Sequence, residues 1–245
     1  MKKLKRWGIP IEKQDLINMQ LEGLSQQKMA LRLNVHVTTV EKRIKFFNLQ
    51  GFTTVRYDLM TLKNPQFCYL LGWFCSDGYL TKGNRVSIRT YEKAPMKALS
   101  EYFGTKLYEI HLNTGKTTYE VYFALAPAIF KSLFSGNKTR TIQVPDIPTE
   151  NLPYFFRGVI EGDGCIRPAG KSKSTLIRLF TASKDFAEQF QKLVQSQGFK
   201  CRLRADRMGW ELSTDSLDFC TYIYQGLEEF ITPRKHGRVQ EWLSI

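Results

Sequence analysis

Asp77 and Asp163 are the residues whose setting points to chemistry. Each stands next to last in one nine-residue pattern. Leu70–Gly78 reads LLGWFCSDG and Phe156–Gly164 reads FRGVIEGDG. Both copies run from mostly apolar residues, through a glycine at the third position, to a small residue followed by Asp-Gly. This pattern predicts a helix that packs through small residues at close range and then ends on an acid and a glycine. A carboxylate at such a tip is unfavourable, because the C-terminal end of a helix already carries partial negative charge. Two tips side by side would bring Asp77 and Asp163 together, which costs more unless a divalent cation sits between them. An Asp-Gly pair most often only ends a helix. Its recurrence in a duplicated pattern favours metal.

The two segments resemble the paired motifs of the LAGLIDADG homing endonucleases, in the single-chain form with two pseudo-symmetric repeats. The glycines match at Gly72, Gly78, Gly158 and Gly164, and the penultimate acids at Asp77 and Asp163. The family usually has an acid two positions earlier. That slot, which is not the family's metal ligand, holds Cys75 in one copy and Glu161 in the other. The resemblance covers about residues 65–245. It implies an α+β fold of two αββαββ repeats, with the motif helices along a pseudo-twofold seam and the sheets forming a saddle in the DNA major groove. It further implies that Asp77 and Asp163 are catalytic metal ligands, one per strand cut. A lysine near each site is also a family feature. The tails of the two cycles supply Lys138 in GNKTRT and Lys235 in PRKHGR, with Arg140 and Arg238 as nearby alternatives. Phosphodiester hydrolysis needs an activated water, stabilisation of charge on phosphorus and help for the leaving oxygen, all of which divalent ions supply. Magnesium suits a site with few carboxylates, since it keeps waters and takes ligands from substrate phosphates; manganese is a possible substitute.

The elements that must position these acids recur in the same order. In the first cycle the motif helix is followed by a strand over 79–82, a Gly83-Asn84 turn and a strand over 85–91. A helix over 94–102 comes next, then a hairpin over 106–125 turning around Asn113 to Lys116, and a short helix over 127–134. In the second cycle the motif helix leads to Ile166-Arg167, a KSKS turn and a strand over 176–181. A helix over 184–197, strands over 200–207 and 210–214, and helical segments around 217–225 follow, before the closing TPRKHGRVQEWL. Domain boundaries are expected at 65–148 and 149–245, after a linker over 51–64 that lacks a clear period.

Period-2 alternation divides the strands into two faces. Val86 and Ile88 oppose Arg85, Ser87 and Arg89; Ile177 and Leu179 oppose Arg178; Cys201, Leu203 and Ala205 oppose Arg202, Arg204 and Asp206. The apolar face must be covered by helices. The arginine face is either solvated, as antiparallel sheets commonly are, or bound. By the resemblance it is the DNA face, to which Lys82, Arg85, Arg89, Arg178, Arg202 and Arg204 are assigned. The planar fork of arginine can bond a guanine edge twice.

Residues 1–50 predict three helices, over 13–21, 26–33 and 38–47, with Ser25 capping the second. The run QQKMALRLNVHVTTVEKRIKFF resembles a helix-turn-helix of the resolvase and homeodomain kind. Ala30 lies where two helices touch, and Asn34 takes the turn position usual for glycine. Thr38, Thr39 and Lys42 are the expected DNA contacts on the outer face of the third helix. Residues 1–64 carry 12 basic against 5 acidic side chains, which favours DNA over the ordinary trihelical bundle.

The net charge of +13 suits a polyanionic partner. Five cysteines without a CxxC pair argue against a disulfide framework or a zinc site. His36, His111 and His236 lack metal-ligand spacing, and no P-loop, dinucleotide fingerprint or nucleophile-and-base pair is present. Neither a signal peptide nor a membrane span is legible. The expectation is a monomeric, magnesium-dependent enzyme that cuts double-stranded DNA in a bacterial or phage-infected cytoplasm, and the resemblance implies a gene carried by a mobile element or phage. A non-cleaving regulator and an intron-binding RNA maturase are the rivals on the same fold.

Overall fold

The structure is a computed structural model that describes residues 11–22, 24–47, 49, 55–81, 85–123, 128–167 and 176–244. Lys82, the Gly83-Asn84 turn and the KSKS turn lie outside the described residues.

Three short helices come first: α1 (Lys13–Leu21), α2 (Gln26–Arg32) and α3 (Val37–Phe46). Ser25 caps α2 by accepting from the Lys28 amide at 3.3 Å. His36 caps α3, its Nδ1 accepting from the Thr38 amide. Asn34 turns the chain between them with φ at 50°, a left-handed conformation that asparagine tolerates through its short polar side chain. Leu16, Met29, Ala30, Val40 and Ile44 are buried.

Within the stretch read as a linker, the residues described from 55 onward pack into the core. Val55, Tyr57 and Met60 are buried, a single 3-10 turn covers Tyr57–Leu59, and the Arg56 amide donates to the Phe103 carbonyl at 2.8 Å. Apolar residues at that irregular spacing match neither helix nor strand periodicity, so burial there left no pattern to read.

The first cycle contains α4 (Pro65–Ser76), β1 (Gly78–Leu80), β2 (Val86–Thr90), α5 (Lys93–Phe103), β3 (Leu107–His111), β4 (Thr117–Phe123), α6 (Ala128–Ser132) and α7 (Lys138–Thr141). The second contains α8 (Leu152–Gly162), β5 (Cys165–Ile166), β6 (Ile177–Thr181), α9 (Lys184–Ser196), β7 (Arg202–Asp206), β8 (Gly209–Thr214), α10 (Leu217–Ile223) and α11 (Pro233–Leu243). Asn64 caps α4 and Pro65 occupies its first turn, where a missing N–H is harmless.

Each cycle makes one four-stranded antiparallel sheet, in the order β1-β2-β4-β3 and β5-β6-β8-β7. The orders are the same, so the two units share one topology. Val86, Ile88, Val121 and Phe123 are buried on one face of the first sheet, and Ile177, Leu179 and Leu212 on one face of the second. Helices α5 and α9 pack on those faces, and edge-to-face aromatic pairs such as Phe103–Phe123 fill the space between. The opposite faces carry the arginines, as the alternation required.

Candidate metal and nucleic-acid site

The seam between α4 and α8 is the most extensive contact between elements among the described residues. Its closeness explains the motif glycines. A Cβ on Gly72 would come within 2.3 Å of the Phe155 carbonyl oxygen, and one on Gly158 within 2.2 Å of that of Tyr69. Only glycine lets the two backbones approach this far. The approach continues to the tips: a Cβ on Gly162 would lie 1.9 Å from Ser76 Oγ and 3.7 Å from an Asp77 carboxylate oxygen. Asp77 and Asp163 are the C-caps of α4 and α8 respectively. The structure therefore brings the two acids together at one end of the seam, where β1 and β5 begin.

Burial raises the pKa of both carboxyl groups. Asp77 is pushed up to about 6, first by burial and then by the negative charge of Asp163, while Lys235 and Lys138 pull it down. Asp163 is more exposed, yet burial raises it too, against Lys138 and Lys235. Two partly desolvated carboxylates at helix C-termini make a hard, oxygen-rich place for a divalent cation. Among the described residues no group of three or more His, Cys, Asp or Glu gathers anywhere. The donor set thus fits a cation that completes its shell with water and phosphate, not a zinc cage.

Lys138 and Lys235 both reach this end of the seam, each on its own motif helix. The Lys138 ammonium donates to the Ser76 carbonyl at 3.0 Å and lies over the Phe74 ring. Lys235 donates to the carbonyls of Ile160, Glu161 and Gly162 at 2.8, 2.6 and 3.1 Å, with 3% of its surface exposed. These oxygens belong to the last turns, which have no intrahelical donors. Burial lowers both lysines, Lys235 to about 8 with a further push from Arg234. Of the alternatives, Arg238 donates to the Ile166 carbonyl at 2.5 Å, and Arg140 is exposed.

Two residues of the centre had no role in the sequence reading. Glu161 is buried and accepts from Tyr69 Oη at 2.5 Å, the Thr232 amide at 3.1 Å and Thr232 Oγ1 at 2.8 Å. Burial raises its pKa against those bonds and the charge of Arg157. Arg157 is fully buried and donates to the carbonyls of Gly226 and Leu227 at 2.8 and 3.2 Å. Together they tie α8 to α4 and to the chain leading into α11, which carries Lys235. Their spacing of four residues within an otherwise apolar helix was the available signal.

On the sheet faces, Arg85, Arg89, Arg202 and Arg204 have protein partners. Arg85 donates to Tyr122 Oη at 2.5 Å. Arg89 donates to Glu120 through Nε and Nη2 at 3.3 and 2.8 Å. Arg202 pairs with Asp215 at 3.2 Å and Arg204 with Glu211 at 3.8 Å, and Arg178 is half-buried. On α3, Thr38 and Lys42 are exposed and Thr39 is half-buried.

Residues 150–230 match the family model of the LAGLIDADG-like domain. The homing endonuclease I-WcaI bound to its DNA recognition sequence superposes with a TM-score of 0.52 and 18% identity, over 71% of this chain and 85% of that one. Full-length DUF199/WhiA from Thermatoga maritima superposes with a TM-score of 0.50 and 14% identity, over 74% of this chain and 60% of that one. The N-terminal LAGLIDADG domain of DUF199/WhiA gives 0.50 and 15%, over 70% and 87%. At these identities the likeness establishes a shared fold. No curated protein matches the chain in sequence.

Proposed function

We propose that the chain is a site-specific, divalent-metal-dependent double-strand DNA endonuclease of the homing type. One observation carries this reading: Asp77 and Asp163 meet at abutting helix tips, each with a lysine on the terminal carbonyls of its own helix. The fold is common to a DNA-bound homing endonuclease and to WhiA, so it supports DNA binding without deciding on cleavage. The acids decide. A carboxylate pair at helix C-termini is unfavourable for packing and is best explained as ligands for magnesium or manganese. When bound, these ions supply the activated water, charge stabilisation and leaving-group assistance that hydrolysis needs.

The chain's own residues divide the remaining work. Asp77 and Asp163 would hold the cations, one per strand cut. The two lysines offset the acids' charge and so lower the cost of bringing scissile phosphates to this end of the seam. Lys138 spends one ammonium proton on a carbonyl and keeps two for a phosphate oxygen or a water. Arg85, Arg89, Arg178, Arg202 and Arg204 contact the duplex from the two sheet faces, and Lys82 is a further contact. Residues 1–50 act as a helix-turn-helix whose Thr38, Thr39 and Lys42 extend the contact beyond the saddle. Both half-sites lie in one chain, so a monomer suffices.

Asp77→Asn and Asp163→Asn test the reading, because each deletes a ligand and leaves the sheet faces intact. Each variant is expected to bind DNA as before and, at most, to nick one strand. Full double-strand cleavage by either would overturn the assignment.

A further inference from the structure

We infer that the DNA target is non-palindromic at one recognition row, with a guanine read near the seam in one half-site and near the outer edge in the other. This rests on the proposed DNA-binding role of the sheet faces, and not on cleavage.

The observation is an inversion between the two sheets. In the first, Arg89, Glu120 and Tyr108 stand directly opposite one another on β2, β4 and β3. In the second, the same places on β6, β8 and β7 hold Phe180, Glu211 and Arg204. Directly opposed residues project from the same face. The central glutamates correspond, because Val86 pairs with Phe123 as Ile177 pairs with Thr214. The flanking pair has changed sides: arginine–glutamate–aromatic has become aromatic–glutamate–arginine.

Each member has a physical role in readout. Glu120 and Glu211 are both buried at 8% exposure, so they present little charge to a ligand. They hold the arginines instead. Glu120 takes Nε and Nη2 of Arg89 and is itself fixed by Ser87 and by Tyr79 at 3.0 Å. This leaves Nη1 and the second Nη2 proton of Arg89 as an end-on fork, suited to O6 and N7 of guanine. Anchoring also removes rotamer freedom that would otherwise be lost on binding. Tyr108 and Phe180 are 41% and 47% exposed, large aromatic surfaces on a polar face. An apolar group there suits the thymine methyl, the one apolar feature of the major-groove edge.

The strand order sets the distances. Strands β1 and β5 directly follow the seam helices, so β2 and β6 are inner, and β3 and β7 are outer edges. Inner and outer positions are two strand spacings apart, about 10 Å, against about 3.4 Å of rise per base pair. They therefore meet different base pairs. Arg89 reads an inner base in the half-site of the first repeat, and Arg204 an outer base in the half-site of the second. Phe180 takes the inner place opposite Arg89's.

The test is enrichment of a randomised duplex pool on the full chain in chelator, followed by sequencing. The wild-type motif is expected to hold a guanine closer to the centre in one half than in the other. R89A should relax the inner guanine alone, and R204A the outer guanine of the other half alone, each by about 5- to 150-fold. E120Q and E211Q should relax the same bases as their arginine partners, without changing the salt dependence, since neither removes a phosphate contact. E211Q has fewer internal bonds than Glu120 to lose, and it keeps the test open if E120Q does not fold. Deoxyuridine for thymine at the inner base of the second half-site should weaken wild type about 4-fold and leave F180A unaffected. Relaxation at equivalent distances in the two halves, or uniformly weaker binding with unchanged base choice, overturns the inversion alone. A wild-type chain that enriches no sequence overturns the DNA-binding reading with it.

Discussion

At the tip of α8, Lys235 gives all three ammonium protons to the carbonyls of Ile160, Glu161 and Gly162; at the tip of α4, Lys138 gives one, to Ser76. The supports differ as well. Lys235 sits in the 11-residue helix α11, buried and braced by Glu161 through Thr232. Lys138 opens the four-residue helix α7, capped by the Asn137 side chain. Corresponding places in two repeats thus hold the same residue type in different states. One lysine is consumed in closing a helix end, the other remains available to a ligand. The second half of the centre is the stiffer half, and the first carries the freer cation.

The comparison breaks most visibly in activity. Lys138→Met should lower cleavage on the order of 10²-fold, the cost of a donor aimed at developing charge, with little change in melting temperature. Strand-resolved cleavage rates would show the loss. An unchanged rate would mean that Lys138 serves only the helix end. Lys235→Met should act through stability, costing about 1–3 kcal/mol because buried carbonyls lose their donor. Urea unfolding of the two variants would rank them. A larger stability loss for Lys138→Met would reverse the contrast.

The acids themselves sharpen it further. Asp77 has a folded-state pKa of about 6, above its ordinary value of 3.8. The stability linked to its proton is therefore present below about pH 4 and is lost as pH rises through about 6. Without divalent ions, Asp77→Asn should be more stable than wild type at pH 8, by on the order of 1–2 kcal/mol after allowance for solvent screening. At pH 4 the difference should vanish. Thermal melts at the two pH values would check this, and magnesium should stabilise wild type more than the variant at pH 8. The smallest effect is expected at the other end of the chain. Removing residues 1–50 should shorten the footprint and leave the cut position in place. An unchanged footprint would assign the three helices to another partner.

Much of this was legible in the sequence, for a physical reason. The motif glycines and acids lie at one spacing in both copies, and strand alternation separates Val86 and Ile88 from Arg85 and Arg89 without knowledge of the partner strands. What depends on the partner strands was not legible. The order β1-β2-β4-β3 places Glu120 between Arg89 and Tyr108, and no local pattern in TTYEVYF announces that neighbourhood. Helix α7 has four residues, too few to show a period. Lys235 was placed near the site by its position in the repeat. Its three carbonyl bonds arise from the docking of α11 against the end of α8, which only the tertiary structure contains.

The most direct test of the central claim is to sequence the DNA ends made from a genomic pool by the wild-type chain with magnesium. Asp77→Asn and Asp163→Asn are run beside it. Recurrent staggered ends at one sequence with wild type, absent with both variants and in chelator, are the predicted result. Ends no more frequent with wild type than with the variants, in a chain that still selects a DNA sequence, would contradict it and leave a DNA-binding protein that does not cut.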